Sequence, residues 1–63
     1  MIKYASRDQV ITPDGPGVVV HKEMKANRGR WEWSGRYWVR LNRESETGLR
    51  QGHYRWQDLT RNT

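Results

Sequence analysis

The side chains best suited to chemistry in this 63-residue chain are its four tryptophans and nine arginines. Trp38 stands between Arg36 and Arg40, and Trp31 and Trp33 lie among Arg28, Arg30 and Arg36. An indole offers a flat face on which a base can stack, while a guanidinium forks onto phosphate or carboxylate and also stacks on rings. With Arg50 and Arg55 added, these nine residues form the candidate contact surface, either for a nucleic acid or for a partner protein. Arginine contacts to phosphate and indole stacking on bases carry little sequence specificity.

Catalysis makes demands that the chain does not meet. A covalent mechanism needs an activated nucleophile beside a base, yet there is no cysteine, and three serines and two histidines stand in no triad-like or nucleophile-elbow context. Glu44 and Glu46 share a polar turn, where paired carboxylates are solvated. His21 and His53 occupy neither HxxxH nor HExxH spacing, which argues against a metal centre or metal staple. Gly15-Pro16-Gly17 lacks the helix and the Lys-Ser/Thr of a phosphate-cradling loop and reads as turn geometry. The expectation is a binding module with no catalytic residue, no metal and no cofactor.

Composition points the same way. A net charge of +5 favours an anionic partner. Sixty-three residues with 33% hydrophobic content suit one domain, residues 1–63, and the absence of cysteine excludes disulfide bracing. No apolar run approaches a signal sequence or the roughly 20 residues of a membrane span, so the expected location is cytoplasmic, with no membrane partner.

Short β-branched and aromatic segments broken by Gly and Pro must position these side chains. Residues 1–7 read as a lead-in or edge strand with Ile2 and Tyr4 at strand spacing, and Asp8–Thr12 as a strand ended by Pro13. A tight reversal through Pro13–Gly17 predicts a second strand opening at Gly17, running as far as Met24 and pairing antiparallel with the first. Lys22–Gly35 is expected to form a long hairpin-like connection with Asn27-Arg28-Gly29 at its tip and Trp31 and Trp33 on one face. From Arg36 to Leu41 the period is two: Tyr37, Val39 and Leu41 point one way, and Arg36, Trp38 and Arg40 the other. After the polar turn Asn42–Gly48, Leu49–Trp56 reads as a strand with Tyr54 and Trp56 in the core. Gln57-Asp58-Leu59 reads as a short 3₁₀ turn tucking Leu59 inward, and Thr60–Thr63 as a last strand or a frayed end.

Asp8-Gln9-Val10, the run Thr12-Pro13-Asp14-Gly15-Pro16-Gly17-Val18-Val19, Tyr37–Leu41 and the Tyr54-x-x-x-Asp58-Leu59 ending together resemble small SH3-like β-barrels, including KOW-type modules, over about two thirds of the chain. The resemblance implies an all-β, five-stranded barrel, and says little of function, because such barrels bind RNA, DNA, peptides or partner proteins. Two departures stand out: the 14-residue stretch Lys22–Gly35 is longer than the usual second connection, and Arg7 stands where a glycine often precedes the first strand's aspartate. The barrel of the plasmid-borne dihydrofolate reductases is also similar, but their pore-lining segment is not recognisable here.

Three readings compete on these residues. In the first, the arginines gather on one face around an outward Trp38 and bind DNA or RNA. In the second, the same face grips a peptide or partner domain, since Trp, Tyr and Arg dominate protein hot spots as well. In the third, the chain is a structural barrel that forms a small homo-oligomer through its edge strands, rather than remaining a monomer. Against all three stand two bland possibilities: arginines neutralised by Glu23, Glu32, Glu44 and Glu46, and Trp38 closing a lid cluster with Trp31 or Trp33.

Overall fold

Alternation of apolar and polar side chains along the β-branched and aromatic segments produces strands, because each strand then offers one face to a core and one to water. The computed structural model of the protein describes residues 3–62. It contains β1 (Gln9–Thr12), β2 (Gly15–Asn27), β3 (Arg30–Leu41), β4 (Gln51–Arg55) and β5 (Thr60–Arg61), with a 3₁₀ turn over Trp56–Asp58. All pairings are antiparallel, in one sheet of order β4-β3-β2-β1-β5. The chain is all-β, with no α-helix among the described residues, and none of its helical segments is long or apolar enough to cross a membrane. Among the described residues no ladder joins β4 to β5, so the sheet is open where a closed barrel was expected.

The first hairpin turns on Pro13 and Asp14, with Thr12 opposite Gly15. The Thr12 hydroxyl accepts the Asp14 N–H at 3.0 Å and donates to the Gly15 carbonyl at 2.8 Å, while Gly15 takes φ 121°, a conformation that suits glycine. Gly17 has a different role from the turn geometry expected of it. It lies inside β2, opposite Leu41, and a Cβ there would come within 2.7 Å of the Arg40 carbonyl oxygen and 2.8 Å of Val39 Cγ1. Close approach of β2 to β3 is what requires a glycine at this position.

The lead-in is not a strand over its described part. Lys3–Asp8 is irregular and closes in a turn, with the Asp8 N–H donating to the Ala5 carbonyl and the Ala5 N–H to the Asp8 carboxylate. Ile2 of the expected edge strand, and Thr63 of the expected last one, lie outside the described residues. Arg7 holds φ 75° at the position where the resemblance has glycine, so the backbone there keeps the conformation that a glycine adopts without strain. Near the C-terminus the 3₁₀ turn begins at Trp56, one residue before the expected segment, and delivers Leu59 to the core.

Tyr4, Val10, Val19, Tyr37, Val39 and Leu59 form the core, with Trp33, Tyr54 and Trp56 packed around it. Tyr37 is its largest fully buried side chain. A buried phenol needs a partner, and here its oxygen accepts the Tyr4 N–H at 2.9 Å while the Tyr4 hydroxyl donates to the Leu59 carbonyl at 3.2 Å. The Tyr4 and Tyr37 rings meet edge to face at 5.6 Å. Three distant parts of the chain are thereby joined through two phenols.

Tyr54 makes a further long-range link, donating to the Asp14 carboxylate at 2.7 Å and tying β4 to the β1–β2 turn. Burial, reinforced by the hydrogen bond to Asp14, pushes the Tyr54 phenol above its ordinary pKa. The protonated form is thus favoured by folding: its stabilisation is fully present below the ordinary phenol pKa of about 10 and is lost as pH rises through the raised value.

Two outcomes follow for urea unfolding. Gly17→Ala should lower stability by about 1–3 kcal/mol through overpacking. Tyr54→Phe should cost about 1 kcal/mol at neutral pH and flatten the alkaline loss of stability; an alkaline limb as steep as that of the parent protein would refute the role of this phenol.

Candidate functional site

The parity of β3 decides which side chains face outward. Tyr37, Val39 and Leu41 are buried, so Arg36, Trp38 and Arg40 occupy the opposite face, Arg40 exposed and the other two half-buried. Register builds the rest of this outer face. Across the β3–β4 ladder, Arg36 lies opposite Arg55, Trp38 opposite His53 and Arg40 opposite Gln51, while on β2 His21 lies opposite Trp38 and Val18 opposite Arg40. Irregularities between Val19 and His21, and between Lys22 and Met24, set which β2 residues join the face.

Directly opposed like charges in a sheet are destabilising, and Arg36 and Arg55 form such a pair. Each guanidinium is drawn aside. Arg55 pairs with Asp58 at 3.1 Å, and Arg36 Nη1 lies 3.0 Å from His53 Nδ1. The same imidazole nitrogen stands 3.3 Å from the Glu23 carboxylate, and its ring meets Trp38 edge-on at 5.0 Å. A single nitrogen cannot both accept from Arg36 and donate to Glu23, so the partner it serves depends on whether Nδ1 carries the hydrogen.

Of the candidate residues, Arg36, Trp38, Arg40 and Arg55 come together on this face. Alternation along β3 also places Arg30 on its side, farther out along the strand and beside Lys25 and Glu32. Trp31 and Trp33 share a face, as expected, but it is the other one. Trp33 packs on Tyr37 at 5.2 Å and donates its indole N–H to the Arg36 carbonyl at 2.8 Å, which fixes the root of the long hairpin beside Gly35. Trp31, two pairs nearer the tip, is 74% exposed. The anticipated lid cluster of Trp38 with Trp31 or Trp33 therefore does not form. Arg50 precedes β4, pairs with Glu44 at 3.6 Å and meets the outer face only at its end, beside Arg40 and Arg43 in a shallow depression. Arg28 sits at the hairpin tip.

Salt bridging accounts for only part of the positive charge. Arg28, Arg30, Arg36 and Arg40 form no ion pair among the described residues, whereas Arg50 and Arg55 do. Glu23 is the acid that enters the face, and Glu32 is taken up by an Asn27 amide at 3.0 Å. Among the described residues there is no group of three or more His, Cys, Asp or Glu side chains able to hold a metal ion. From the sequence, His21 and His53 were weighed as metal ligands and given no site role, and Arg43 was not singled out. Their positions depend on bulges and on a loop path that periodicity does not encode.

No family model, curated protein or solved structure matches the chain.

Neighbouring substitutions test the parity directly. Trp38→Ala should keep the fold and cost about 1 kcal/mol for the lost ring contact, whereas Val39→Ala should cost about 2 kcal/mol or more by opening a cavity in the core. The reverse order in thermal or urea unfolding would overturn the assignment of the two faces.

Proposed function

We propose that the protein is a non-catalytic nucleic-acid-binding module, a single cytoplasmic domain whose strand order and 3₁₀ turn correspond to an SH3-like barrel left open between β4 and β5. The observation that carries this reading is the outer face of β3, where Arg36 and Arg40 flank Trp38 and a third arginine, Arg55, is paired with Arg36 across the β3–β4 ladder. A polyanion threaded over that face would relieve the opposed charges of Arg36 and Arg55, and each phosphate neutralised would release counterions. The Trp38 ring, set between the cations, supplies a stacking surface worth roughly 1–3 kcal/mol per base. Recognition of this kind reads backbone and base planarity, so weak sequence preference is part of the proposal.

The alternative, a peptide or partner domain gripped by the same aromatic and arginine face, differs in its response to salt and nuclease. Fluorescence anisotropy with labelled DNA and RNA oligonucleotides tests the reading. Affinity should fall steeply between 50 and 200 mM salt, by roughly 20- to 150-fold for three to four phosphate contacts. Arg40→Ala should weaken binding to every sequence alike and reduce the salt slope by about 1, and Trp38→Ala should weaken single-strand binding by about tenfold. Absence of binding at low salt and high micromolar protein would refute the proposal; a protein partner retained after nuclease treatment and moderate salt would favour the alternative.

A further inference from the structure

β2 and β3 outrun their neighbours. β1 pairs with β2 only from Gly15 to Val18, and β4 pairs with β3 only from Arg36 to Arg40, yet the two long strands remain paired out to Asn27 and Arg30. From Met24 to Trp33 the molecule is thus a two-stranded arm with no strand on either side. Four residues per strand carry it about 13 Å outward before the turn, in keeping with an overall shape of 38 × 25 × 17 Å.

Two features of the arm are not explained by folding. The first is its tip, where Arg28 takes φ 52° and Gly29 φ 79°, both positive as in the tight turns that favour Asn or Gly in the first central position. Arginine gains nothing from that backbone, and a glycine would adopt it with less strain. The second is the core-side face beyond Trp33, where Trp31 is 74% and Met24 46% exposed, with Ala26 opposite Trp31. Cations lie around this apolar surface: Lys25, Arg28 and Arg30 against the single acid Glu32, which is held by Asn27.

Resting on the nucleic-acid reading above, we propose that this arm is a second contact, separate from the sheet face, which enters the major groove of double-stranded DNA. A two-stranded ribbon fits the roughly 12 Å width of that groove, and about 13 Å of free arm lets it lie along the groove with one face on the floor. The groove matches both faces of the arm. Its phosphate walls take Lys25, Arg28 and Arg30, and its floor, with thymine methyl groups, takes the apolar surface of Trp31 and Met24. The deep, narrow major groove of an RNA duplex excludes such a ribbon, so the arm selects B-form DNA.

The test compares a 20-base-pair DNA duplex, an RNA duplex and a single strand of the same sequence, using the whole chain and the variants Arg28→Gly, Arg7→Gly and Trp31→Ala. Arg7→Gly is the matched control, because it removes one charge from another positive-φ position away from the arm. Arg28→Gly should hold or raise the melting temperature, weaken DNA-duplex binding about fivefold or more, and leave single-strand binding unchanged. Trp31→Ala should also weaken duplex binding selectively, and the parent protein should prefer the DNA duplex to the RNA duplex. Equal losses for Arg28→Gly and Arg7→Gly would reduce the effect to bulk charge and overturn the inference, as would equal affinity for the two duplexes. Single-strand binding with no effect of the arm variants on the duplex would overturn this inference alone, whereas no binding to any oligonucleotide would overturn the underlying reading too.

Discussion

Tyr37 is sealed in β3 with its hydroxyl accepting the Tyr4 N–H and its ring packed between those of Tyr4 and Trp33. Because side chains alternate across a strand, burying that one phenol commits Val39 and Leu41 to the core and turns Arg36, Trp38 and Arg40 outward. A slip of one residue would exchange the two sets. The core and the candidate contact face are thus two consequences of a single choice of parity. The close approach of β2 at Gly17 holds the register in place, because no side chain fits between the strands there.

Electrostatics gives the outer face its character. A stability-driven sheet would place opposite charges at the paired positions of Arg36 and Arg55, whose guanidiniums are instead drawn aside to His53 and Asp58. The remaining ion pairs are exposed and contribute little to stability. Cations without an acidic partner among the described residues, Arg36 and Arg40 on the sheet and Arg28 at the positive-φ tip of the arm, fit the proposal that this charge serves a partner. The Glu23 carboxylate beside His53 moderates this face without neutralising it.

The strands, the Pro13-Asp14 reversal and the tip at Asn27-Arg28-Gly29 were legible in the sequence because each rests on a local rule: period-two alternation, the φ of proline, or the freedom of glycine. The inward and outward sets of β3 were legible for the same reason. Gly17 was misread as a turn residue, since close approach to a neighbouring strand leaves no local trace. The lead-in looked like a strand because Ile2 and Tyr4 stand at strand spacing, whereas Tyr4 is buried by capping the core with hydrogen bonds to Tyr37 and Leu59. Most of the site beyond β3 was not legible. Two irregularities in β2 decide that His21 and Glu23 join Trp38 and His53, and alternation along the arm carries Trp31 and Trp33 to the opposite side from the arginines that flank them in sequence. Openness between β4 and β5 likewise depends on long-range pairing, which motif spacing does not specify.

The four indole N–H groups report on the account most directly, because they sample both faces and the core. In a titration of the isotope-labelled protein with oligonucleotide, followed by NMR, the proposal expects the Trp38 indole signal to shift on the outer face while those of Trp33, bonded to the Arg36 carbonyl, and Trp56, packed on the core, stay in place. Movement of the Trp33 and Trp56 signals with Trp38 unchanged would contradict it.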